Sequence, residues 1–316
     1  MLSIRKLAVA IALTCCAVTP RAARAQQPLR SPVIGRWDLT VQGAEGPFPS
    51  WLEIRLSGNR TLVGQFVARF GSTRPVSRIE VAGSTIRFTI PPQWEAEDSD
   101  ITIEGTLDDD RLSGWMTGAG GSRLTWTAVR APVLHRSAAP RWGAPIRLFN
   151  GVDLTGWEAM GRGPNQWRVI KGVLTSAAAG ANLVSKAAFT DFKLHAEFRV
   201  PPAGNSGIYL RGRHEVQIED SKGLEPSSLR MGGVYGFLTP NEDAASSPGE
   251  WQSYDITLVG RLVTVVLNGK TVIARQEIPG ITGGALNSDE GSPGPLLLQG
   301  DHTTVEYRRI VLTPAR

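Results

Sequence analysis

Between Pro32 and Val129 the chain alternates apolar and polar residues in short runs broken by turn residues. Segments 35–41, 51–56, 85–90, 101–105 and 124–129 all follow this period of two, the mark of a strand with one buried face. About eight such segments at roughly 8–12-residue spacing predict a small antiparallel barrel or sandwich without helices. A stretch rich in Pro and Ala without periodicity, 131–145, reads as a linker. Beyond it the alternation returns at 167–174, 192–200, 207–210, 215–218, 254–259, 262–267, 296–299 and 305–312. Asn268-Gly269 follows one of these runs and predicts a tight hairpin, because both central positions must take φ > 0. The chain therefore reads as all-β: a small antiparallel β-barrel over 26–130, then a jelly-roll or lectin-like β-sandwich over 146–316. The Gly35-Arg36-Trp37 opening resembles the start of lipocalin-type barrels, and a barrel filled by its own side chains is the expectation.

The N-terminus changes the meaning of the composition. Arg5 and Lys6 precede an apolar run over 7–18, and Ala23 and Ala25 flank Arg24. This pattern predicts a secretory signal peptide over 1–25, cut near Ala25-Gln26, and a periplasmic or secreted mature protein. The run is too short for a transmembrane helix, which needs about 20 residues, so no membrane span is expected. The chain of 316 residues has a formal charge of +5. Four of its basic residues, Arg5, Lys6, Arg21 and Arg24, fall in the leader with no acid to balance them, which leaves about +1 on the rest. Both cysteines, Cys15 and Cys16, also lie there. The remaining chain has no thiol for a disulfide, a metal site or a nucleophile. It has no basic cluster interleaved with aromatics, so nucleic acid is not an expected partner.

Candidate chemistry concentrates in two places. The first is 205–221, read as a hairpin. A three-residue loop of Gly212-Arg213-His214 pairs Arg211 with Glu215 and Tyr209 with Gln217, and sets Leu210 beside Val216 and Ile208 beside Ile218. That register sorts an aliphatic face from a polar face holding Tyr209, Arg211, Glu215, Gln217 and Glu219. The polar face is either a solvated sheet surface or a surface that binds sugar hydroxyls. The second place is 294–312, where Gln299 and Asp301 share one parity and His302 lies just past the strand. His302 reads as a surface residue, a general base, a metal ligand or a sugar contact. The Gly-rich segment 279–295 before it predicts a lid or a disordered loop. Trp157, Trp167 and Trp251 read as packing residues.

Leu148-Phe-Asn-Gly-Val-Asp-Leu-Thr-Gly-Trp157, Lys171-Gly-Val-Leu174, Asn205-Ser-Gly-Ile-Tyr-Leu-Arg211, Glu215-Val-Gln-Ile-Glu-Asp220, Gly233-Val-Tyr-Gly236, Gly249-Glu-Trp251, Leu267-Asn-Gly269 and Leu298-Gln-Gly-Asp-His302 occur in this order. Together they resemble the 3-keto-disaccharide hydrolase family over about 146–314. The resemblance implies a concanavalin-like sandwich and an exported hydrolase of 3-keto-glycosides, acting by elimination across C1–C2 followed by hydration. Such a route needs a base near C2, a donor at the enolate oxygen and an acid at the leaving oxygen. Glu215, Arg211 and His302 are the candidates for base, enolate stabiliser and acid. Asn205, Tyr209, Gln217, Tyr235, Gln299 and Asp301 are the candidate substrate contacts. Glu219 and Asp220, with Glu215, Asp301 and His302, are hard ligands that suit a divalent ion of the Ca²⁺ or Mn²⁺ type, but their spacing matches no dedicated metal motif. The implied partners are a small carbohydrate and an upstream oxidoreductase that forms the 3-keto group. A non-catalytic carbohydrate-binding protein using the same face is the alternative; an envelope interaction module, with the barrel binding a partner, is a third reading. Two positions depart from the family pattern: His214 stands where an aromatic is common, and Arg309 where Asn is usual.

Overall fold

The computed structural model describes residues 29–95, 98–136 and 138–316; the leader, its cleavage site and both cysteines lie outside the described residues. Eight antiparallel strands form the first unit: β1 (Gly35–Gly43), β2 (Gly46–Ser57), β3 (Thr61–Val67), β4 (Arg74–Ala82), β5 (Thr85–Ile90), β6 (Ile101–Asp108), β7 (Arg111–Gly118) and β8 (Ser122–Arg130). Pairing of β8 with β1 closes the barrel, which removes exposed strand edges. Trp37, Leu39, Leu52, Ile54, Phe88 and Trp126 fill its interior. Each such side chain contributes about 1.5–3 kcal/mol by leaving water. Gly105 lies under the Trp126 ring, and a side chain there would collide with it.

The second unit is a two-sheet sandwich. Its strands are β9 (Ile146–Arg147), β10 (Trp157–Met160), β11 (Trp167–Ile170), β12 (Val173–Ser176), β13 (Asn182–Phe189), β14 (Phe192–Arg199), β15 (Asn205–Leu210), β16 (His214–Glu219), β17 (Gln252–Val259), β18 (Leu262–Leu267), β19 (Lys270–Glu277), β20 (Gly294–Leu298) and β21 (Val305–Pro314). One sheet runs β10-β13-β20-β15-β16; the other runs β11-β12-β21-β14-β17-β18-β19, with β9 paired to β21. Their facing sides bury Trp157, Trp167, Phe192, Phe198, Tyr254 and Tyr307. No helix among the described residues is long and apolar enough to cross a membrane.

The structure departs from the sequence reading in several places; β10 and β19, for instance, fall outside the predicted runs. Segment 167–174 is two strands, β11 and β12, turned at Lys171 (φ 51) and Gly172 (φ 81). Lysine is an unusual residue for a left-handed turn position, so the break does not stand out in the pattern. Strand β13 escaped notice because a bulge between Val184 and Ala188 interrupts its alternation. The β15–β16 hairpin turns at Arg211-Gly212-Arg213, with φ of 55 and 66 at its first two positions. It pairs Tyr209 with Glu215 and Leu210 with His214, not Arg211 with Glu215. This register differs from the predicted one by two residues, so the residues that remain paired keep their predicted faces while their partners change, and Arg211 falls into the turn. Finally, segment 279–293 is neither a lid nor a disordered loop. Ile281 and Ala285 pack with Trp51 and Val67 of the barrel, and the Gly284 N–H donates to the Arg69 carbonyl at 2.8 Å. It is an ordered wedge between the two units.

Candidate functional site

Strands β16, β15 and β20 lie side by side, and their odd-numbered residues share the face turned away from the sandwich core. Glu215 stands opposite Tyr209, Gln217 opposite Gly207 and Glu219 opposite Asn205. Across the other edge of β15, Leu297 pairs with Tyr209, and the Gln299 N–H donates to the Gly207 carbonyl at 2.9 Å. Gly207 is the low point of this surface. The Glu215 carboxyl lies across it, in the space a β-carbon would take.

Glu215 is only 4% exposed. Burial pushes its carboxyl up to about 8, against the Tyr209 hydrogen bond and the His302 charge, while Asp301 adds to the rise. The Tyr209 hydroxyl lies 2.9 Å from Glu215 Oε2 and 2.9 Å from the Gly283 carbonyl oxygen. Asp301 and His302 sit at the mouth, half-exposed, with Asp301 Oδ1 2.6 Å from His302 Nδ1. That hydrogen bond raises the imidazole above its ordinary range. Tyr235 donates its N–H to the Glu215 carbonyl at 3.0 Å; burial and then the Glu215 charge raise its phenol. Asn205 Oδ1 and Gln299 Oε1 are buried without a hydrogen-bond partner. A buried acceptor without a partner is uncommon, and a bridging water or a ligand hydroxyl would satisfy it.

Other candidates are placed elsewhere. Arg211 does not meet Glu215. It sits in the turn, donates from Nη2 to the Gly260 carbonyl at 2.7 Å, and lies 3.5 Å from His214 Nε2. Burial lowers it to about 10, partly offset by the Glu290 charge. The reason is the hairpin register: a positive φ at Arg211 swings its side chain out of the strand's alternation. His214 is fully buried behind it and contacts the Gly280 carbonyl through Nδ1 at 3.1 Å. Burial, then the Arg211 and Arg261 charges, hold its pKa well below the ordinary value, so it supports the wedge as a neutral ring. Gln217 donates to the Leu229 carbonyl at 3.3 Å and accepts from the Ile218 N–H, which engages it with the neighbouring loop. Glu219 accepts from Arg230 at 3.2 Å, and Asp220 accepts from the Ala203 N–H at 3.0 Å. Among the described residues no three His, Cys, Asp or Glu side chains group closely enough to hold a metal ion. Arg309 is on the opposite sheet, 3.9 Å from Glu197. The sequence reading missed Gly207 and Gly283 as parts of the site. A glycine inside a strand pattern was the available signal for the first.

The model of the 3-keto-alpha-glucoside-1,2-lyase-like domain family matches residues 144–313. A solved Parabacteroides distasonis protein, provisionally named a glycosyl hydrolase, is 28% identical, with 56% of this chain and 92% of that chain covered and a TM-score of 0.47. Another protein of that organism, named in the same way, is 23% identical over 54% of this chain and 98% of its own, with a TM-score of 0.43. A Bacillus subtilis carbohydrate-binding module is 14% identical over 49% of this chain and 90% of its own, with a TM-score of 0.33. No curated protein matches the chain.

Proposed function

The chain belongs to the 3-keto-alpha-glucoside-1,2-lyase-like family, and from that premise we propose that this carbohydrate-active protein hydrolyses 3-keto-glycosides by elimination and rehydration. The observation that carries the reading is one buried carboxyl outside any ion pair, Glu215, held by the Tyr209 hydroxyl beside an Asp301–His302 pair. Ordinary glycosidases flank the scissile bond with two carboxyl groups. On this face Asp301 is engaged with His302 and Glu219 with Arg230, so a single carboxyl is left for proton abstraction.

A ketone at C3 acidifies the C2 hydrogen. Glu215, as carboxylate, takes that proton, and the C–H electron pair passes into the enolate of C2 and C3. The Tyr235 hydroxyl donates to the enolate oxygen, the role first expected of Arg211. The enolate then restores the C3 carbonyl, a C1–C2 double bond forms and the C1–O bond breaks. The leaving oxygen takes a proton from the His302 imidazolium. Water adds at C1 and a proton returns to C2, so the sum is hydrolysis. A base whose pKa lies near the working pH combines a usable ionised fraction with strong proton affinity, and a carboxyl at about 8 has that property. The open oxygens of Asn205 and Gln299 accept hydroxyl protons and orient the ring. The substrate arrives from an oxidoreductase that makes the 3-keto group, in the exported compartment that the leader implies.

The test is incubation of the chain with a 3-keto-disaccharide and its unoxidised parent in D₂O. Release of sugar from the 3-keto substrate alone, with deuterium at C2, supports elimination. Release without C2 deuterium overturns it. Binding with no release by wild-type protein favours a carbohydrate-binding module. Glu215→Gln should lose release and keep binding.

A further inference from the structure

Two large aromatic side chains of the barrel stand in solvent beside the Glu215 site: Phe70 is 52% exposed and Trp94 73% exposed. Their position follows from backbone contacts that join the barrel to the site. Segment 68–73 connects β3 to β4. Its Arg69 carbonyl accepts the Gly284 N–H at 2.8 Å. Gly283 packs so closely on it that a β-carbon there would lie 2.8 Å from the Gly71 nitrogen and 2.9 Å from the Phe70 carbonyl carbon. The Gly283 carbonyl in turn contacts the Tyr209 hydroxyl, which contacts Glu215. On the other flank Gly236, next to Tyr235, abuts the Thr73 nitrogen and Ser72. One barrel segment therefore walls the Glu215 groove from the wedge to Tyr235.

Phe70 belongs to this segment, and Trp94 packs on its Gly71. The Trp94 indole covers Gly71, with Cδ1 and Nε1 2.6 and 2.9 Å from where a β-carbon would stand. Its segment is tied down on both sides: Gln93 Nε2 donates to Ser72 Oγ at 2.9 Å, and Glu95 takes two hydrogen bonds from the buried Arg74 at 2.7 and 3.1 Å. Phe70 is held by the Arg69 guanidinium, 5.1 Å from its ring. Exposed aromatic rings tied to fixed neighbours offer a ligand flat apolar area at little cost in lost side-chain freedom. The flat C–H faces of a pyranose fit such rings, and its hydroxyl edge finds Gln93 and Ser72 within the same patch.

We propose that Phe70 and Trp94 form a stacking subsite for the second pyranose ring of a disaccharide, the ring that leaves, so that the barrel sets preference for the leaving group. This rests on the reading of Glu215 as the cleavage site. The experiment compares kcat/KM for a 3-keto-disaccharide and the matching 3-keto methyl glycoside in wild-type protein, Trp94→Ala and Phe70→Ala. The expected result is a fall of about tenfold in the disaccharide-to-methyl-glycoside ratio for each variant, carried by KM. A ratio equal to wild type in both variants overturns the proposal. If wild-type protein cleaves neither substrate, the Glu215 reading fails, and calorimetric titration with the unoxidised disaccharide then reads the subsite by itself. Saturable binding weakened about tenfold in Trp94→Ala supports it, and equal or no binding in the two proteins overturns it.

Discussion

The Tyr209 hydroxyl has one proton and two acceptors at equal distance, Glu215 Oε2 and the Gly283 carbonyl, both 2.9 Å away. When Glu215 is ionised the phenol donates to the carboxylate. When Glu215 is protonated it can itself donate to the phenol oxygen, and the phenol turns to Gly283. The site thus satisfies its hydrogen bonds in both protonation states, which suits a carboxyl that exchanges a proton in each turnover.

Removal of that hydroxyl separates the two states. The Tyr209 bond holds the Glu215 carboxyl down against burial, so Tyr209→Phe raises its pKa further. With a 3-keto aryl glycoside, whose leaving group needs no proton, wild-type kcat/KM should rise with pH through about 8. In Tyr209→Phe the limb should move upward and the rate at pH 7 should fall by about 10- to 100-fold. A rate that instead falls as pH rises through that limb would make Glu215 the acid.

Arg211 tests the corrected hairpin. Its guanidinium is buried and serves the Gly260 carbonyl, so its loss leaves a buried acceptor unpaired at a cost of about 1–3 kcal/mol. Arg211→Met should lower the melting temperature by several degrees while the folded protein keeps kcat/KM within about threefold. Loss of kcat by 100-fold or more at an unchanged melting temperature would place Arg211 at the reacting atoms after all. Thermal melts and steady-state kinetics on the same preparation decide between these.

The junction of barrel and sandwich carries its own pH dependence. Asp38 of β1 faces Glu290 of the wedge, and burial first, then the Glu290 charge, pushes the Asp38 carboxyl up to about 8. Arg261 donates to Glu290 Oε2 at 2.5 Å; its charge partly offsets the rise at Asp38, to which Asp289 adds. A carboxyl raised on folding binds its proton more tightly in the folded state. Its contribution is therefore complete below about pH 4 and is lost as pH climbs through about 8, a loss on the order of a few kcal/mol. Asp38→Asn offers an N–H to Glu290 at every pH. Its melting temperature should decline less than that of wild type between pH 5 and pH 8.5, as scanning calorimetry would read. Parallel declines would remove Asp38 as the cause.

What was legible in the sequence follows from how local each constraint is. Parity alone put Glu215, Gln217 and Tyr209 on one face, because a strand has a side-chain period of two. The number of barrel strands followed from the same alternation. The partner of Glu215 was not legible, since two registers two residues apart sort the faces equally well and only the turn chooses between them. Asp38 and Glu290 meet from opposite ends of the chain, through a Gly-rich segment whose composition says loop and nothing about its destination. The open oxygens of Asn205 and Gln299 likewise depend on what surrounds them, which no spacing encodes.

Gly207 gives the sharpest separation of catalysis from folding. Its φ does not lie in the left-handed region, so alanine suits its backbone. A β-carbon there would nonetheless stand 2.8 Å from Glu215 Cγ and 3.0 Å from Cδ, and nearer still to Oε1. The obstacle is the far end of one flexible side chain, so the carboxyl moves and the sheet stays. A shift of about 1 Å in a catalytic group can cost about 100-fold in rate. Gly207→Ala should therefore lose about 100-fold in kcat, while its melting temperature stays within a few degrees of wild type. Because Tyr209 can no longer reach the displaced carboxyl, adding Tyr209→Phe should cost little more, whereas full additivity of the two losses would show the carboxyl still in its original place.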